Sequence, residues 1–371
     1  MVVAFPATAQ TTETQSGPVW FDARELTVEG KGWTETKDFY DRLPAKAGKL
    51  VRAPVWSLSH DSAGLRVRFV TDATTVSARW TLRKESLAMS HMAATGVSGL
   101  DLYLKADGQW HWIGTGRPDQ SPTNEKPLVS GLTAELREFA LYLPLYNGVK
   151  EVRIGVNPGA QLRAAAPATA KPIVFYGTSI TQGGCASRSG MAYPAILGRQ
   201  LDWPTINLGF SGNGRSEPEL ATLLAELEPA VYVLDALPNM SPEMVATRLE
   251  TFVQTLRQAH PRTPILLLES IDYPAGKFVA ATRDLIAAKN AELKRVYQRL
   301  KKAGVKQLTY VSAARLIGTD GLGTVDGVHP TDLGFLRMAE GLQPDLRRAL
   351  KLTRWNASKP SAALLGVSRG E

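Results

Sequence analysis

The order of hydrophobic and polar positions divides the chain into two parts with different periods. From Trp20 to about Val156, apolar and polar residues alternate in short runs separated by turn residues, as at 64–70, 75–80 and 151–156. Alternation at a period of two is typical of antiparallel strands with one face in water. This part therefore predicts an all-β domain, a β-sandwich or jelly roll.

Beyond residue 172, continuous apolar segments alternate with amphipathic ones. Strands are predicted at 172–176, 205–208, 231–236, 265–268 and 307–311, and helices at 193–201, 217–227, 242–259, 282–303 and 332–350. The third helix begins with the capping residue Ser241 and has Pro242 at its first helical position. Strand and helix alternating in this way predict a parallel sheet covered on both faces, a three-layer α/β/α domain. Ligands of such domains bind beyond the carboxyl ends of the strands.

These patterns and the composition between them predict five segments. They are a signal-peptide remnant or disordered start at 1–18, a β-sandwich accessory domain at 19–160, an Ala- and Pro-rich linker at 161–171, a catalytic domain at 172–353 and a disordered tail at 354–371. Ala7-Thr8-Ala9 is similar to a signal-peptidase site, although the basic region that normally precedes one is missing. We therefore predict a secreted or periplasmic protein, with a plain disordered terminus as the alternative.

Composition and charge exclude several partners. The net charge is +8, but the Lys and Arg residues are scattered rather than clustered, which argues against nucleic acid. The sequence has no run of 18 apolar residues, so no membrane span is predicted. The single cysteine, Cys185, excludes an internal disulfide and is expected to be a small packing residue. No Cys pair or His-rich tract indicates a metal, so no cofactor is predicted. The oligomeric state stays open.

The turn YGTSITQGGCA after the first predicted strand contains a single serine, Ser179. A phosphate-binding loop would need G-x-G-x-x-G or a terminal G-K-[ST], and neither is present. A plain Gly-rich turn is one remaining interpretation. The other is a nucleophile mounted between strand and helix, which requires a base and oxyanion donors from later strand ends.

His329 is the candidate base because it lies in VDGVHP, between the last predicted strand and the last helix. Asp326, three residues earlier, can accept its Nδ1–H and leave Nε2 directed at a serine. Alone, this motif is equally typical of a surface turn. His260 is explained by a helix C-terminus, and three other histidines lie in the β half: His60, His91 and His111.

Two more segments follow predicted strands. Gly212 lies in NLGFSGNG, where a glycine lets the backbone approach closely and expose its N–H. Asn239 lies in ALPNM and can donate from Nδ2. Each is also an ordinary turn residue when taken alone.

GTSITQG, NLGFSGNG, ALPNM and DGVHP, in this order, resemble the four blocks of the SGNH hydrolase (GDSL-type esterase) superfamily across 172–350. The resemblance implies the flavodoxin-like SGNH hydrolase fold. It also implies that Ser179 is the nucleophile and that His329 and Asp326 are the base and its orienting carboxylate. Gly212 and Asn239 would be the oxyanion donors beside the Ser179 amide.

The sequence GLDLY at 99–103 resembles the signature of the GxDLY β-domain that accompanies one subset of these esterases. There are also departures from the superfamily pattern. Thr178 stands where an Asp is usual, and Asn239 lacks both its preceding glycine and its following acid. Asn213 is therefore an alternative side-chain donor.

The resulting hypothesis is a serine esterase that hydrolyses short acyl esters, above all acetyl esters of carbohydrate, through an acyl-enzyme. The polar loop at 183–190 favours a small-molecule or polysaccharide ester over a lipid, and Arg188 in that loop and Asn213 are candidate substrate contacts. A thioesterase or short-chain lipase using the same site is one alternative. Another is a non-catalytic carbohydrate-binding protein whose β-domain tryptophans hold a glycan, the candidates being Trp56, Trp80, Trp110 and Trp112.

Overall fold

The computed structural model describes residues 17–352. The predicted signal remnant, apart from Gly17 and Pro18, and the predicted disordered tail lie outside these residues, so both stay predictions. Among the described helices, none combines the length and the apolar character needed to cross a bilayer.

The N-terminal half of the described chain is built from strands that form two antiparallel sheets. In chain order the strands and short helices are β1 (Val19–Asp22), β2 (Thr27–Glu29), α1 (Ala53–Ser59), β3 (Arg66–Thr71), β4 (Thr75–Leu82), α2 (Ala94–Val97), β5 (Leu100–Ala106), β6 (Gln109–Gly116), β7 (Thr123–Ser130), β8 (Arg137–Tyr142), β9 (Val149–Val156) and β10 (Leu162–Ala164). One sheet has the order β1-β9-β4-β7 and the other β10-β3-β8-β5-β6, with β2 paired to β3. Alternate side chains of both sheets share one core around the fully buried Trp80, which confirms the predicted sandwich.

The C-terminal half is a parallel sheet between helices. Its elements are β11 (Ile173–Gly177), α3 (Ser179–Gln182), α4 (Tyr193–Leu201), β12 (Thr205–Gly209), α5 (Pro218–Leu224), β13 (Val231–Asp235), α6 (Pro242–Ala259), β14 (Ile265–Leu268), α7 (Ala280–Lys302), β15 (Leu308–Val311) and α8 (Asp332–Ala349). The strand order is β12-β11-β13-β14-β15 and every pairing is parallel. Helices α5, α6 and α7 pack on one face and α4 and α8 on the other. The predicted α/β/α layering is confirmed.

Local capping signals correspond to the observed helix ends. Ser241 accepts a hydrogen bond from Met244 N at 3.1 Å and Pro242 is the first residue of α6, as predicted. The predicted helix 217–227 is shorter, because α5 ends at Leu224.

The two halves share more packing than the predicted domain division implies. Leu43, Ala47, Val51 and Val55, from the segment that leads into α1, belong to the same core as β11 and β12. Residues 162–164, inside the predicted linker, form β10 on the edge of β3. The alternation of apolar and polar residues does not predict either contact, because each depends on a partner far away in sequence.

Arg42 is the buried polar link between the halves, with 1% of its surface exposed. Its guanidinium donates to the carbonyl oxygens of Leu58 at 2.7 Å and Asp61 at 2.8 Å within the N-terminal half. It also donates to the carbonyls of Asn207 at 3.2 Å and Gly209 at 2.7 Å, at the end of β12. One side chain thus satisfies four carbonyl oxygens at the boundary.

We expect Arg42→Met to lower the free energy of unfolding by roughly 3 kcal/mol or more, because several buried carbonyls lose their donor at once. The urea midpoint, measured at constant m-value, reports this loss. Arg24→Met is the matched control, since Arg24 forms a solvent-exposed ion pair with Asp22 and such pairs contribute little to stability. Equal midpoints for Arg42→Met and Arg24→Met would contradict the structural role of Arg42.

Candidate active site

Ser179 is held at a sharp strand-to-helix turn. Strand β11 ends at Gly177, Thr178 is the N-cap of α3, and Ser179 is the first residue of that helix. The Thr178 hydroxyl accepts a hydrogen bond from Ile180 N at 3.2 Å. Threonine therefore caps the helix here with its side-chain oxygen, as an Asp also can.

The end of β12 lies very close to α3. A Cβ added at Gly209 would lie 2.1 Å from Gln182 N, so only glycine fits at this position. Asn207 Nδ2 donates to Thr181 O at 2.7 Å, and Gln182 Oε1 accepts from Ser211 N at 3.0 Å. These contacts place the loop that contains Gly212 beside the first turn of α3.

His329 lies between Ser179 and Asp326. Ser179 Oγ is 2.9 Å from His329 Nε2, and His329 Nδ1 is 2.7 Å from Asp326 Oδ2. Ser179 is 6% exposed, so the pair is shielded but open on one side. With a proton on Nδ1, the imidazole can accept the serine proton at Nε2 while the carboxylate stabilises the imidazolium that forms.

The Asp326 carboxylate also fixes the backbone of its own turn. Its Oδ1 accepts from Val328 N at 3.0 Å and His329 N at 2.8 Å. Partial burial acts to raise the pKa of Asp326, but hydrogen bonds from the backbone and imidazole of His329 and from Val328 N outweigh it and lower the pKa to about 2. The group is therefore a carboxylate at any pH at which the protein would work.

The sequence-predicted oxyanion donors lie on two adjoining loops. Gly212 is exposed, with φ of 65°, and space is open around its Cα. Asn213 Nδ2 donates back to Ser211 O at 2.9 Å within its own loop. Asn239 Nδ2 donates to Asn213 O, which attaches the loop after β13 to the loop after β12. Of the two amides, the Asn239 amide is the one that reaches between loops.

The GLDLY segment holds the loop that follows α3. Asp101, fully buried, accepts from Gly190 N at 2.9 Å and Arg188 Nη1 at 2.7 Å. Arg188 also donates to Tyr103 OH at 2.6 Å and lies over the Trp112 ring. The structure thus gives Arg188 a contact between the two halves, and its substrate contact stays a prediction.

Residues of the N-terminal half also reach the nucleophile. Tyr146 OH donates to Ser179 O at 3.3 Å, and Asp61 Oδ2 accepts from Gln182 Nε2 at 3.2 Å. The His91 ring lies 5.5 Å from the His329 ring, centroid to centroid, and sequence reasoning missed it by leaving the β-half histidines aside. Nothing local in the sequence around His91 marks it, since its neighbour is more than two hundred positions away.

Two groups within residues 17–352 have a spacing that could hold a metal ion. One consists of His91, Cys185, Asp326 and His329, and the other of Asp38, Asp41 and His60. Both combine segments distant in sequence, so short motifs could not show them.

Asp235 lies at the carboxyl end of β13, beneath α3. Its Oδ2 accepts from Thr181 Oγ1 at 3.0 Å and Tyr193 OH at 3.1 Å. Complete burial raises the pKa of Asp235 to about 7, although the two hydroxyl donors act to lower it. This acid is therefore largely protonated in the folded protein at weakly acidic pH.

Comparisons with known proteins match both halves. The GDSL-like lipase/acylhydrolase family model matches residues 170–347, and the model for the N-terminus of SGNH-hydrolase-type esterases, GxDLY, matches residues 18–162. A search of curated proteins found no match.

Three solved structures illustrate the similarity. A Bacteroides ovatus protein described as a GDSL-like lipase is 38% identical, with a TM-score of 0.86 over 90% of this chain and 98% of its own. A salicylyl-acyltransferase from a tetracycline biosynthetic pathway is 21% identical, with a TM-score of 0.71 and the same two coverages. An acetyl xylan esterase from the rumen bacterium Butyrivibrio proteoclasticus is 11% identical, with a TM-score of 0.58 over 91% of this chain and 99% of its own. The last two show the shared fold.

The buried Asp235 carboxyl predicts a specific pH dependence of stability. Its folded pKa of about 7 lies above the ordinary value of about 4, so between these pH values the folded state holds a proton that the unfolded chain has released. Wild-type stability should therefore fall as pH rises through this window. Asp235→Asn keeps an oxygen acceptor and removes the titration. Its stability relative to wild type should rise by up to roughly 4 kcal/mol between pH 4 and 7 and then level off.

Urea unfolding of both proteins across this pH range measures the difference. Asp284→Asn is the matched control, since Asp284 is 69% exposed on α7 and should give no comparable trend. A flat difference between Asp235→Asn and wild type across the window would contradict the raised pKa.

Proposed function

The chain belongs to the GDSL-like lipase/acylhydrolase family, and we propose that within this family of ester hydrolases it removes short acyl groups, above all acetyl, from carbohydrate. The observation that carries the proposal is the continuous contact from Ser179 Oγ to His329 Nε2 and from His329 Nδ1 to Asp326. This is the arrangement in which a serine hydroxyl becomes a nucleophile at neutral pH.

In the proposed mechanism, Ser179 Oγ attacks the ester carbonyl as His329 Nε2 takes its proton. Asp326 keeps the imidazole in the required tautomer and stabilises its charge. The tetrahedral intermediate collapses to an acyl-enzyme when His329 returns the proton to the leaving alcohol. Water then attacks the acyl carbon as it gives a proton to His329, and His329 passes this proton to Ser179 Oγ as the acyl–oxygen bond breaks, which releases the acid and restores the free serine.

The oxyanion would be met by the backbone N–H groups of Ser179 and Gly212 and by Asn239 Nδ2. The exposure and left-handed backbone of Gly212 support its role as a donor. The hydrogen bond from Asn239 Nδ2 to Asn213 O supports a position of the Asn239 amide beside the Gly212 loop. Such donors act because they are already oriented when charge develops on the oxygen.

The tight wall beside the nucleophile supports a small acyl group. A Cβ added at Gly184 would lie 2.9 Å from Tyr146 OH, 3.0 Å from His329 Cδ2 and 3.1 Å from Ser179 O. The space next to the triad therefore tolerates little added bulk on this side, which favours acetyl over long acyl chains.

The surface beside the loop that follows α3 supports a sugar as the alcohol part of the ester. Trp112 is 50% exposed, and its indole is held by a hydrogen bond from Nε1 to Asp101 Oδ1 at 2.7 Å. Arg188 lies over the Trp112 ring, and the exposed remainder of this fixed indole offers apolar surface of the kind on which a sugar ring can lie. A carbohydrate substrate is also compatible with the acetyl xylan esterase that shares the fold, by analogy, and with the predicted secreted or periplasmic location.

Ser179→Ala should abolish hydrolysis of p-nitrophenyl acetate, lowering kcat by about four decades or more, since the nucleophile is lost. Asp326→Asn should lower kcat by less, because the imidazole keeps its contact with Ser179. Ser57→Ala, an exposed serine on α1, is the matched control and should keep wild-type rates. Near wild-type turnover by purified Ser179→Ala would refute the assignment.

Chain-length and substrate series test the finer proposal. We expect p-nitrophenyl esters to lose kcat/KM steadily from acetyl to octanoyl, because the longer chains meet the wall formed by Gly184, Tyr146 and His329. Acetate should be released from acetylated xylan by the wild type and not by Ser179→Ala. Faster turnover of octanoyl esters or acyl-CoA than of acetylated polysaccharide would instead favour a lipase or thioesterase.

A further inference from the structure

Four potential metal ligands from three separate parts of the chain meet at the open side of the triad. They are His91 from the N-terminal half, Cys185 from the loop after α3, and Asp326 and His329 from the loop before α8, and their ligand atoms all lie within 4.8 Å of one another. The His91 and His329 rings are 5.5 Å apart and inclined at 51°, so they do not stack.

We propose that His91, Cys185, Asp326 and His329 form a binding site for a soft or borderline divalent cation such as Zn²⁺, and that occupation of this site reversibly switches off the triad. The metal-binding part is independent of the esterase activity. The inhibitory part rests on the proposed function.

The ligand set matches the chemistry of zinc. Thiolate, imidazole and carboxylate are its usual ligands, at about 2.0–2.3 Å, which separates ligand atoms in a tetrahedral site by about 3.3–3.8 Å. The ligand atoms that are farthest apart therefore need to approach by up to roughly 1 Å, and Asp326 Oδ2 and His329 Nδ1, which are 2.7 Å apart, need to separate if both bind the ion. Side-chain rotation can supply both movements. Mg²⁺ and Ca²⁺ prefer oxygen ligands and do not suit this set.

Cys185 is directed into the group by an unusual backbone. Its φ is 71°, in the left-handed region that residues with a side chain rarely adopt, and the residue is 7% exposed. Coordination by Zn²⁺ replaces the thiol proton, which passes to the solvent as the Zn–S bond forms.

Binding at this site necessarily competes with catalysis. If His329 ligates through Nε2, its contact with Ser179 is lost, and if it ligates through Nδ1, its contact with Asp326 is lost. In both cases the imidazole can no longer accept the serine proton in the orientation that Asp326 stabilises.

The second group with suitable spacing does not support a similar proposal. Asp38 is paired with Arg83 at 2.5 Å, so a cation there would have to displace a guanidinium. Within residues 17–352, Asp326 is instead ion-paired with His329, which is itself a member of the group around Cys185.

The first experiment measures binding without activity. Reduced, metal-free Ser179→Ala protein is titrated with Co²⁺, and we expect one equivalent to produce the near-ultraviolet charge-transfer band of a cobalt–thiolate bond. Excess Zn²⁺ should remove the band. Absence of the band in Ser179→Ala would overturn the site, whatever the esterase activity of the wild type.

The second experiment measures inhibition of the wild type with p-nitrophenyl acetate. Zn²⁺ should inhibit and EDTA should restore the rate, whereas Mg²⁺ at the same concentration should have no effect. Cys185→Ala and His91→Ala should each raise the Zn²⁺ concentration for half-inhibition by at least about tenfold, because even outer-shell partners of a metal contribute 10–100-fold to affinity. His111→Ala, an exposed histidine on β6, is the matched control and should be inhibited like the wild type.

Equal Zn²⁺ sensitivity of wild type, Cys185→Ala and His91→Ala would overturn the proposal, since inhibition would then need only the triad. A variant that unfolds is recognised by loss of the cooperative thermal transition, and Cys185→Ser then replaces Cys185→Ala, because it keeps the shape and removes the soft ligand.

Discussion

The guanidinium of Arg42 determines how the two halves of the protein meet. It donates to carbonyls on both sides of the boundary, and two of these, at Asn207 and Gly209, end the strand that leads into the Gly212 loop. A buried carbonyl without a donor costs more than the hydrogen bond itself contributes, so this arrangement tolerates little relative movement. The position of Gly212 is therefore set partly by a residue from the N-terminal half.

Other contacts extend the same constraint around the nucleophile. Asp61 holds Gln182, and Gln182 in turn accepts from Ser211 N, while Asp101 fixes the loop after α3 through Gly190. Each of these acids is buried, and burial raises the pKa of both Asp61 and Asp101, against the attraction of Lys84 for the first and Arg188 for the second. A buried acid destabilises the folded protein unless its hydrogen bonds and ion pairs are complete. The N-terminal half thus contributes residues that position the site, and it is not an independently placed domain.

The architecture of both halves could be predicted from sequence because it follows from local periods and caps. The bounds of α4 and α6 agree with the prediction to the residue, since apolar spacing and the Ser241-Pro242 start are local signals. The structure also brings Ser179, His329 and Asp326 into contact, as expected from their positions after strands at the same sheet edge, and their catalytic roles stay predictions. The contacts of Arg42, the packing of Val55 against the parallel sheet and the position of His91 depend on pairs distant in sequence. No single-chain pattern encodes those pairs, so only the folded structure could show them.

The departure at Thr178 becomes understandable from its neighbours. Thr178 is fully buried, so a carboxylate in its place would be a buried charge beside the nucleophile, and such a charge is costly unless it is paired. Threonine caps α3 without adding that charge, and the hydroxyls of Thr181 and Tyr193 then suffice for Asp235. The turn that presents Ser179 thus has an uncharged cap, and the acid Asp235 lies beneath it on β13.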